Sequence, residues 1–152
     1  FPSKESVLLA IEEREMVQMQ AGLDALLHNS ADDPPLTRFR VALRFILSSA
    51  LRRQQAWRLM AEMLRSLSNR SKARVVARRD HFQNALRNLM DEAIASGDLS
   101  PRDTHLATLY IFGIAEGMSG WYRASGETDL DLLVRDSEQF CLQALQEMKP
   151  LK

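Results

Sequence analysis

Residues that interrupt helices are sparse in this chain, and they are concentrated in three short segments. The 152 residues include only five prolines and six glycines. The interior breaks are residues 29–35 (NSADDPP), 96–103 (SGDLSPRD) and 124–129 (ASGETD). Between these breaks apolar side chains recur at three- and four-residue spacing, and no stretch alternates apolar with polar residues as a half-buried strand does. The sequence therefore predicts an all-α fold, a bundle of five or six helices.

Capping residues define the ends of the predicted helices. Ser100 suits an N-cap position, Pro101 suits the first helical position, and Gly97 suits the position just after a helix. Residues 36–68 could form one helix or two, and the polar RRQQ at residues 52–55 favours a joint there. We expect helices over residues 3–28, 36–68 (continuous or divided), 68–96, 101–123 and 128–148.

Composition excludes several classes of protein. A chain of this length is expected to fold as one domain, residues 1–152, with a core that needs neither a disulfide nor a metal. Cys141 is the only cysteine, which excludes an internal disulfide and indicates a reducing, cytoplasmic setting. No signal peptide or membrane span is predicted. The three histidines lack metal-ligand spacing and no nucleophile motif is complete, so we expect no enzyme, metal or cofactor.

The helix predicted over residues 101–123 has two apolar faces. Each glycine inside a helix costs about 1 kcal/mol relative to alanine, so close approach of another backbone is the expected compensation. A central helix of a monomeric bundle fits this pattern, and so does a helix lying between its own core and a second subunit. The two faces carry, respectively, Leu106, Leu109, Gly113, Gly117 and Gly120, and Ile111, Ala115, Met118 and Tyr122.

The last predicted helix favours the second subunit. Its apolar stripe is wider than one neighbouring helix requires. Two such helices, doubled by a two-fold axis, form a four-helix interface. We therefore predict a homodimer whose interface includes Leu109, Gly113, Gly117, Gly120, Leu133, Phe140, Cys141 and Leu145.

Two stretches of the sequence resemble the TetR family of transcriptional regulators. FPSKESVLLAIEE, at residues 1–13, resembles the segment that follows the DNA-recognition helix in that family. LMDEAIASGDLSPRDTHLATLYIFGIAEGMSGWY, at residues 89–122, is similar to a helix end, a short turn and a small-residue-rich apolar helix found there. The resemblance implies an all-helical domain that dimerises through its last two helices and holds an effector in its core. It also implies operator DNA as a partner, through a helix-turn-helix expected before Phe1.

Large, soft or aromatic side chains on several predicted helices indicate where an effector would bind. Methionine fills adaptable space, and seven methionines fit a cavity that can repack around an apolar guest. Glu116 lies between two apolar faces, so we expect it to reach an arginine, a hydroxyl or the ligand. An ordinary core is the simpler interpretation of any one of these residues. The predicted pocket residues are Trp57, Met60, Met63, Leu64, Phe82, Leu86, Phe112, Glu116 and Trp121.

Charge is unevenly distributed along the chain, although the net charge is zero. Residues 1–35, 36–90 and 91–152 carry net charges of −5, +11 and −6. Arginine clusters bind phosphate groups, so an anionic headgroup fits the basic segment, although a solvated helix face is the simpler interpretation. GWYRASG, at residues 120–126, is similar to a TetR branch that senses acyl-CoA thioesters. The predicted headgroup residues are Arg53, Arg58, Arg74 and Arg78.

Three functions compete on these observations. The first is the effector-binding and dimerisation domain of a TetR-like repressor that senses a small apolar or amphipathic ligand, with an acyl-CoA as one candidate. The second is a ligand-free, homodimeric helical interaction module. The third is a small acyl-carrier-type binding protein or enzyme. A deep apolar cavity in the folded chain would favour the first over the second.

Overall fold

Six α-helices make up the structure of the protein, a computed structural model that describes residues 3–147. No β-strand occurs in that range, and the predicted all-α fold is confirmed. The predicted end of the last helix, at Met148, lies outside the described residues. The helices are α1 (Lys4–Asn29), α2 (Pro35–Arg52), α3 (Gln54–Met63), α4 (Asn69–Ala95), α5 (Thr104–Trp121) and α6 (Leu130–Glu147).

The predicted helical region over residues 36–68 contains two helices, α2 and α3, divided at the predicted joint. Arg53 leaves the helical region with φ −119° and ψ 37°, and its N–H still donates to Ser49 O at 2.9 Å. Its guanidinium forms an ion pair with Glu15 and donates to Gln18 Oε1 at 2.8 Å, both on α1. Arg53 therefore separates α2 from α3, and its side chain fixes this joint to α1.

Three of the predicted helix ends are confirmed by their caps. Ser3 forms a capping box with Ser6, in which each side chain bonds the other residue's backbone N–H. Ser68 caps α4 by accepting from Ser71 N. Gly97 follows the end of α4 with φ 85°, a left-handed conformation in which a Cβ would be strained.

The predicted cap at Ser100 is wrong. α5 begins three residues later than that cap implies, and Asp103 caps it by accepting from Leu106 N at 3.0 Å. Ser100 instead donates its hydroxyl to Gln146 O at 2.5 Å and its N–H to Leu145 O at 3.0 Å. These carbonyls belong to the last turn of α6, where backbone acceptors lack intrahelical partners. The local sequence therefore predicted a helix cap at Ser100, but this serine forms hydrogen bonds to residues that are distant in sequence.

α2 is the central helix of the bundle. It packs against each of the other five helices, and Phe39, Leu43, Ile46 and Leu47 along it are fully buried. Because α5 and α6 both rest on α2, each of them directs one apolar stripe toward the common core. Their opposite faces are left outside it.

A buried carboxylate fixes α6 to α2. Glu138 on α6 is 3% exposed and lies between two arginines of α2. Arg40 Nε donates to its Oε1 at 2.9 Å, and Arg44 donates to its Oε2 at 2.6 Å and 2.8 Å. Both carboxylate oxygens are therefore satisfied by charge-assisted bonds, which fix the orientation of α6 on the core.

Candidate functional site

A cavity of about 100 Å³ lies between α1, α3, α4 and α5. Its wall is mostly apolar, with methionines from α1 and α3 and aromatic rings from α3, α4 and α5. Five of the nine predicted pocket residues line it: Trp57, Met60, Phe82, Phe112 and Glu116. The other lining residues are Met16, Met19, Ala61, Arg79 and Gln83.

Three aromatic rings form one wall of the cavity. Trp57 stacks on Phe112 with ring centroids 6.3 Å apart and planes 18° from parallel. Phe82 meets Phe112 edge-on, at 5.9 Å and 81°. Both arrangements are favoured by the charge distribution of aromatic rings, so the three helices that carry them hold this wall in place. The facing methionines of α1 have more freedom to move aside for a guest.

The cavity also has a polar part. Arg79 donates from an Nη to Met60 O at 2.5 Å, and Gln83 lies one turn further along α4. Burial lowers the pKa of Arg79, and the carboxylates of Glu12 and Glu116 oppose that effect. Trp57 Nε1 is buried and has no hydrogen-bond partner among the described residues. The site thus combines a mostly apolar wall with N–H donors of Trp57 and Arg79 that have no acceptor among the described residues.

The remaining predicted pocket residues lie elsewhere. Met63 and Leu64 belong to a second apolar cluster, around Leu67 and Val75, that closes against the start of α1. Leu86 is fully buried in the main core without lining the cavity. Trp121 is 57% exposed and lies on the outer face of α5.

Three of the four predicted headgroup arginines bind partners within the chain. Arg53 pairs with Glu15, and Arg78 pairs with the fully buried Glu12, with Nε 2.9 Å from Oε2. Arg58 donates to Ser119 O at 3.1 Å and Gly120 O at 3.0 Å, which satisfies the last carbonyls of α5. Arg74 is exposed. None of the four lines the cavity, whose arginine is Arg79.

Residues 32–145 match the family model of the tetracyclin repressor-like C-terminal domain. The chain belongs to this TetR family. The predicted membership is thereby confirmed over a range that includes residues 89–122, and so is the prediction that the chain is not an enzyme, because TetR regulators are non-enzymatic.

Solved structures agree with that membership. A regulatory protein of the TetR family from Rhodococcus RHA1 superposes with a TM-score of 0.85 at 20% identity, over 98% of this chain and 77% of that one. A TetR/AcrR regulator from Thermobifida fusca YX-ER1 gives 0.78 at 25% identity, over 97% and 77%. AibR, solved in complex with isovaleryl coenzyme A and operator DNA, gives 0.69 at 18% identity, over 94% and 75%. A search of curated proteins found no match.

Within residues 3–147 no helix is both long and apolar enough to cross a membrane. In the same range no three histidine, cysteine or acidic side chains are grouped as metal ligands.

Large apolar side chains are exposed on the outer faces of α5 and α6 in this TetR-like domain, and on α6 they lie among polar residues. Six of the ten large hydrophobic side chains that are exposed among the described residues lie on these two helices. An added Cβ at Gly113, Gly117 or Gly120 would meet no atom within 4 Å, so nothing in the chain itself approaches these glycines. The six exposed side chains are Leu106, Leu109, Tyr110, Trp121, Leu132 and Phe140.

Two residues predicted for the dimer interface lie in the chain's own core instead. Cys141 is 3% exposed and Leu145 is 4% exposed, because they continue the stripe of α6 that packs against α2. Burial raises the pKa of Cys141 to about 11, so its thiol stays protonated at neutral pH. Leu133 is half-buried against the same core, whereas Phe140 is 65% exposed on the outer face.

Proposed function

We propose that this domain binds a small apolar or amphipathic effector in the cavity between α1, α3, α4 and α5. The observation that supports it is the lining, in which methionines and aromatic rings surround a few convergent polar groups. A cavity of about 150 Å³ in another protein accepts benzene. The volume of about 100 Å³ is smaller than that, so even a compact guest requires the methionines to repack around it.

We also propose that the domain forms a homodimer through the outer face of α5 and α6. Six large hydrophobic side chains of α5 and α6 are exposed, and clustered apolar side chains at a surface often mark a protein–protein interface. Three uncovered glycines allow a partner helix to approach closely. A stable interface of this kind buries at least about 1,200 Å² in total and is apolar at its centre.

In the regulator to which the domain belongs, the proposed partners are the effector, a second copy and operator DNA. DNA contact is assigned to a helix-turn-helix outside these residues, and the regulator is proposed to act as a cytoplasmic repressor. Membership of the TetR family supports this assignment. The crystal structure of AibR with operator DNA is an example of the same fold in such a complex.

An acyl-CoA is a second candidate effector. The observation that favours it is the AibR complex with isovaleryl coenzyme A, a structure of the same fold. The arginines of this chain favour it less. Among the four that were predicted to hold the phosphates, Arg53, Arg58 and Arg78 already satisfy groups of the chain.

Filling the cavity should abolish effector binding. Ala61 lines the cavity, and Ala61→Leu adds three carbons to its wall. We expect a panel of small aromatic and branched aliphatic compounds to raise the melting temperature of the wild-type chain and to leave that of Ala61→Leu unchanged. Ala77→Leu, on the exposed face of α4, is the matched control and should respond like wild type. A panel that shifts neither wild type nor control contradicts an effector cavity.

A further inference from the structure

We propose that the cavity selects a compact free carboxylic acid, whose carboxylate accepts hydrogen bonds from Arg79 and from Trp57 Nε1. This inference rests on the proposed effector site and names the chemical class of its ligand. The apolar body of the acid lies against the aromatic wall, in space that the methionines of α1 provide by moving aside, because about 100 Å³ is less than the cavity that accepts benzene. Both donors line one cavity of about 100 Å³, so a single small molecule can reach them together.

The first observation is an unused donor in the wall. Trp57 is only 8% exposed, and its Nε1 has no hydrogen-bond acceptor among the described residues. A buried N–H without an acceptor loses its bond to water and gains nothing in return. A ligand oxygen placed in the cavity removes that deficit, whereas a hydrocarbon leaves it.

The second observation is the position of Arg79. One Nη donates to Met60 O at 2.5 Å, and no ion pair within 4 Å involves this guanidinium among the described residues. The remaining donors of the fork are available to the cavity that Arg79 lines. A guanidinium that is partly removed from water forms strong charge-assisted bonds to a carboxylate.

The charges around the cavity favour an acid over an amine. Glu12, the buried carboxylate near Arg79, is already paired with Arg78. Glu116 also lines the cavity and acts on Arg79 through its charge, but it is exposed, so water screens that charge, and it forms no ion pair among the described residues. An ammonium group could lie over the aromatic rings, but it would share the cavity with the Arg79 cation.

The arginines outside the cavity favour the free acid over its coenzyme A ester. A nucleotide headgroup needs several guanidinium groups with free donors. Arg53 and Arg78 are bound to carboxylates of α1, and Arg58 is bound to the end of α5. Engaging a phosphate through any of these would break a contact that holds two helices together.

Titration calorimetry with ligands of one carbon skeleton tests the proposal on the 152-residue chain. The probes are phenylacetate, 2-phenylethanol, phenethylamine and phenylacetyl-CoA. We expect phenylacetate to bind at least about tenfold more tightly than each of the others, as one added charge-assisted bond implies. Arg79→Gln should remove that preference while leaving the affinity for 2-phenylethanol within about twofold. Arg74→Gln, on the exposed face of the same helix, is the matched control and should change nothing.

A second variant separates recognition from packing. Trp57→Phe keeps an aromatic ring next to Phe112 and removes the second ring of the indole together with its N–H. We expect it to weaken phenylacetate more than 2-phenylethanol, whereas a purely structural role would weaken both alike. Equal or tighter binding of the alcohol, the amine or the thioester, or no binding of phenylacetate, overturns the proposal. If the carboxylic acid proposal fails but the compound panel still stabilises wild type and not Ala61→Leu, the proposed effector cavity stands. If the panel does not stabilise wild type, both proposals are contradicted.

Discussion

Gly117→Leu is expected to convert the proposed homodimer into monomers or insoluble material. Gly117 lies on the outer face of α5, where a Cβ built there meets no atom within 4 Å apart from its own stretch of helix. The monomer should therefore accept the leucine, and the helix gains about 1 kcal/mol from losing a glycine. A leucine between two closely packed helices instead forces the subunits apart. Size-exclusion chromatography with light scattering measures the result.

The matched control for this change is Ala77→Leu, an equally bulky substitution on the exposed face of α4. It should leave the dimer intact, and circular dichroism should show native helix content for both variants. Phe140→Glu, on the outer face of α6, should weaken the dimer as well, because it places a charge in the apolar centre of the interface. Wild-type protein that is monomeric, or a Gly117→Leu dimer as stable as wild type, contradicts this interface.

Arg78→Met is expected to cost about 3–5 kcal/mol of unfolding free energy, the largest stability effect that the structure predicts. Glu12 is fully buried, and Arg78 is its ion-pair partner. One carboxylate oxygen, Oε1, already lacks a hydrogen-bond partner among the described residues. Removing the guanidinium therefore leaves the buried carboxylate without its ion-pair partner, between α1 and α4, and Arg79 is the cation that still acts on it. Urea denaturation at fixed protein concentration measures the loss.

The double variant Glu12→Met/Arg78→Met should recover most of that stability. Replacing both members of a buried pair with apolar side chains of similar size is often neutral, because the cost of removing two charges from water disappears. Arg74→Met, one turn earlier on α4 and exposed, is the matched control and should lie within about 0.5 kcal/mol of wild type. A single variant Arg78→Met as stable as this control would show that Glu12 finds solvent or another partner.

Most of the fold was predictable because the helix signals are local. The capping serines, the polar joint near Arg53 and the left-handed Gly97 each depend on neighbours within a few residues. Ser100 shows where this reasoning fails, since its hydroxyl bonds a carbonyl at Gln146. A cap residue and a long-range donor have the same local sequence, so only the packing of α6 against this turn separates them.

The presence of an apolar cavity lined by aromatic and methionine side chains was predictable from the sequence, but only some of its lining residues were. Their large aromatic side chains identified Trp57 and Phe112 as pocket candidates, but the type of side chain does not tell a residue beside a gap from one in dense packing, such as Leu86. Met16 and Met19 face inward on α1, yet nothing local indicates that α1 closes the cavity.

The arginines show the same limit of local sequence. Their excess was visible, but which of them lie near a carboxylate depends on partners at distant positions. Arg53 lies opposite Glu15 and Arg78 opposite Glu12, both on α1, whereas Arg79 alone of the basic segment lines the cavity. The periodicity of one helix contains no information on the charges of the helix it will pack against.

Fluorescence of Trp57 tests the central claim most directly, because this ring is part of the cavity wall. The protein has two tryptophans, and Trp121→Phe removes the exposed one on α5. Titrating this variant with small apolar and amphipathic compounds should change the Trp57 emission saturably, and Ala61→Leu added to it should abolish the change. Emission that stays constant for every compound, or that changes equally after Ala61→Leu, would contradict an effector site in this cavity.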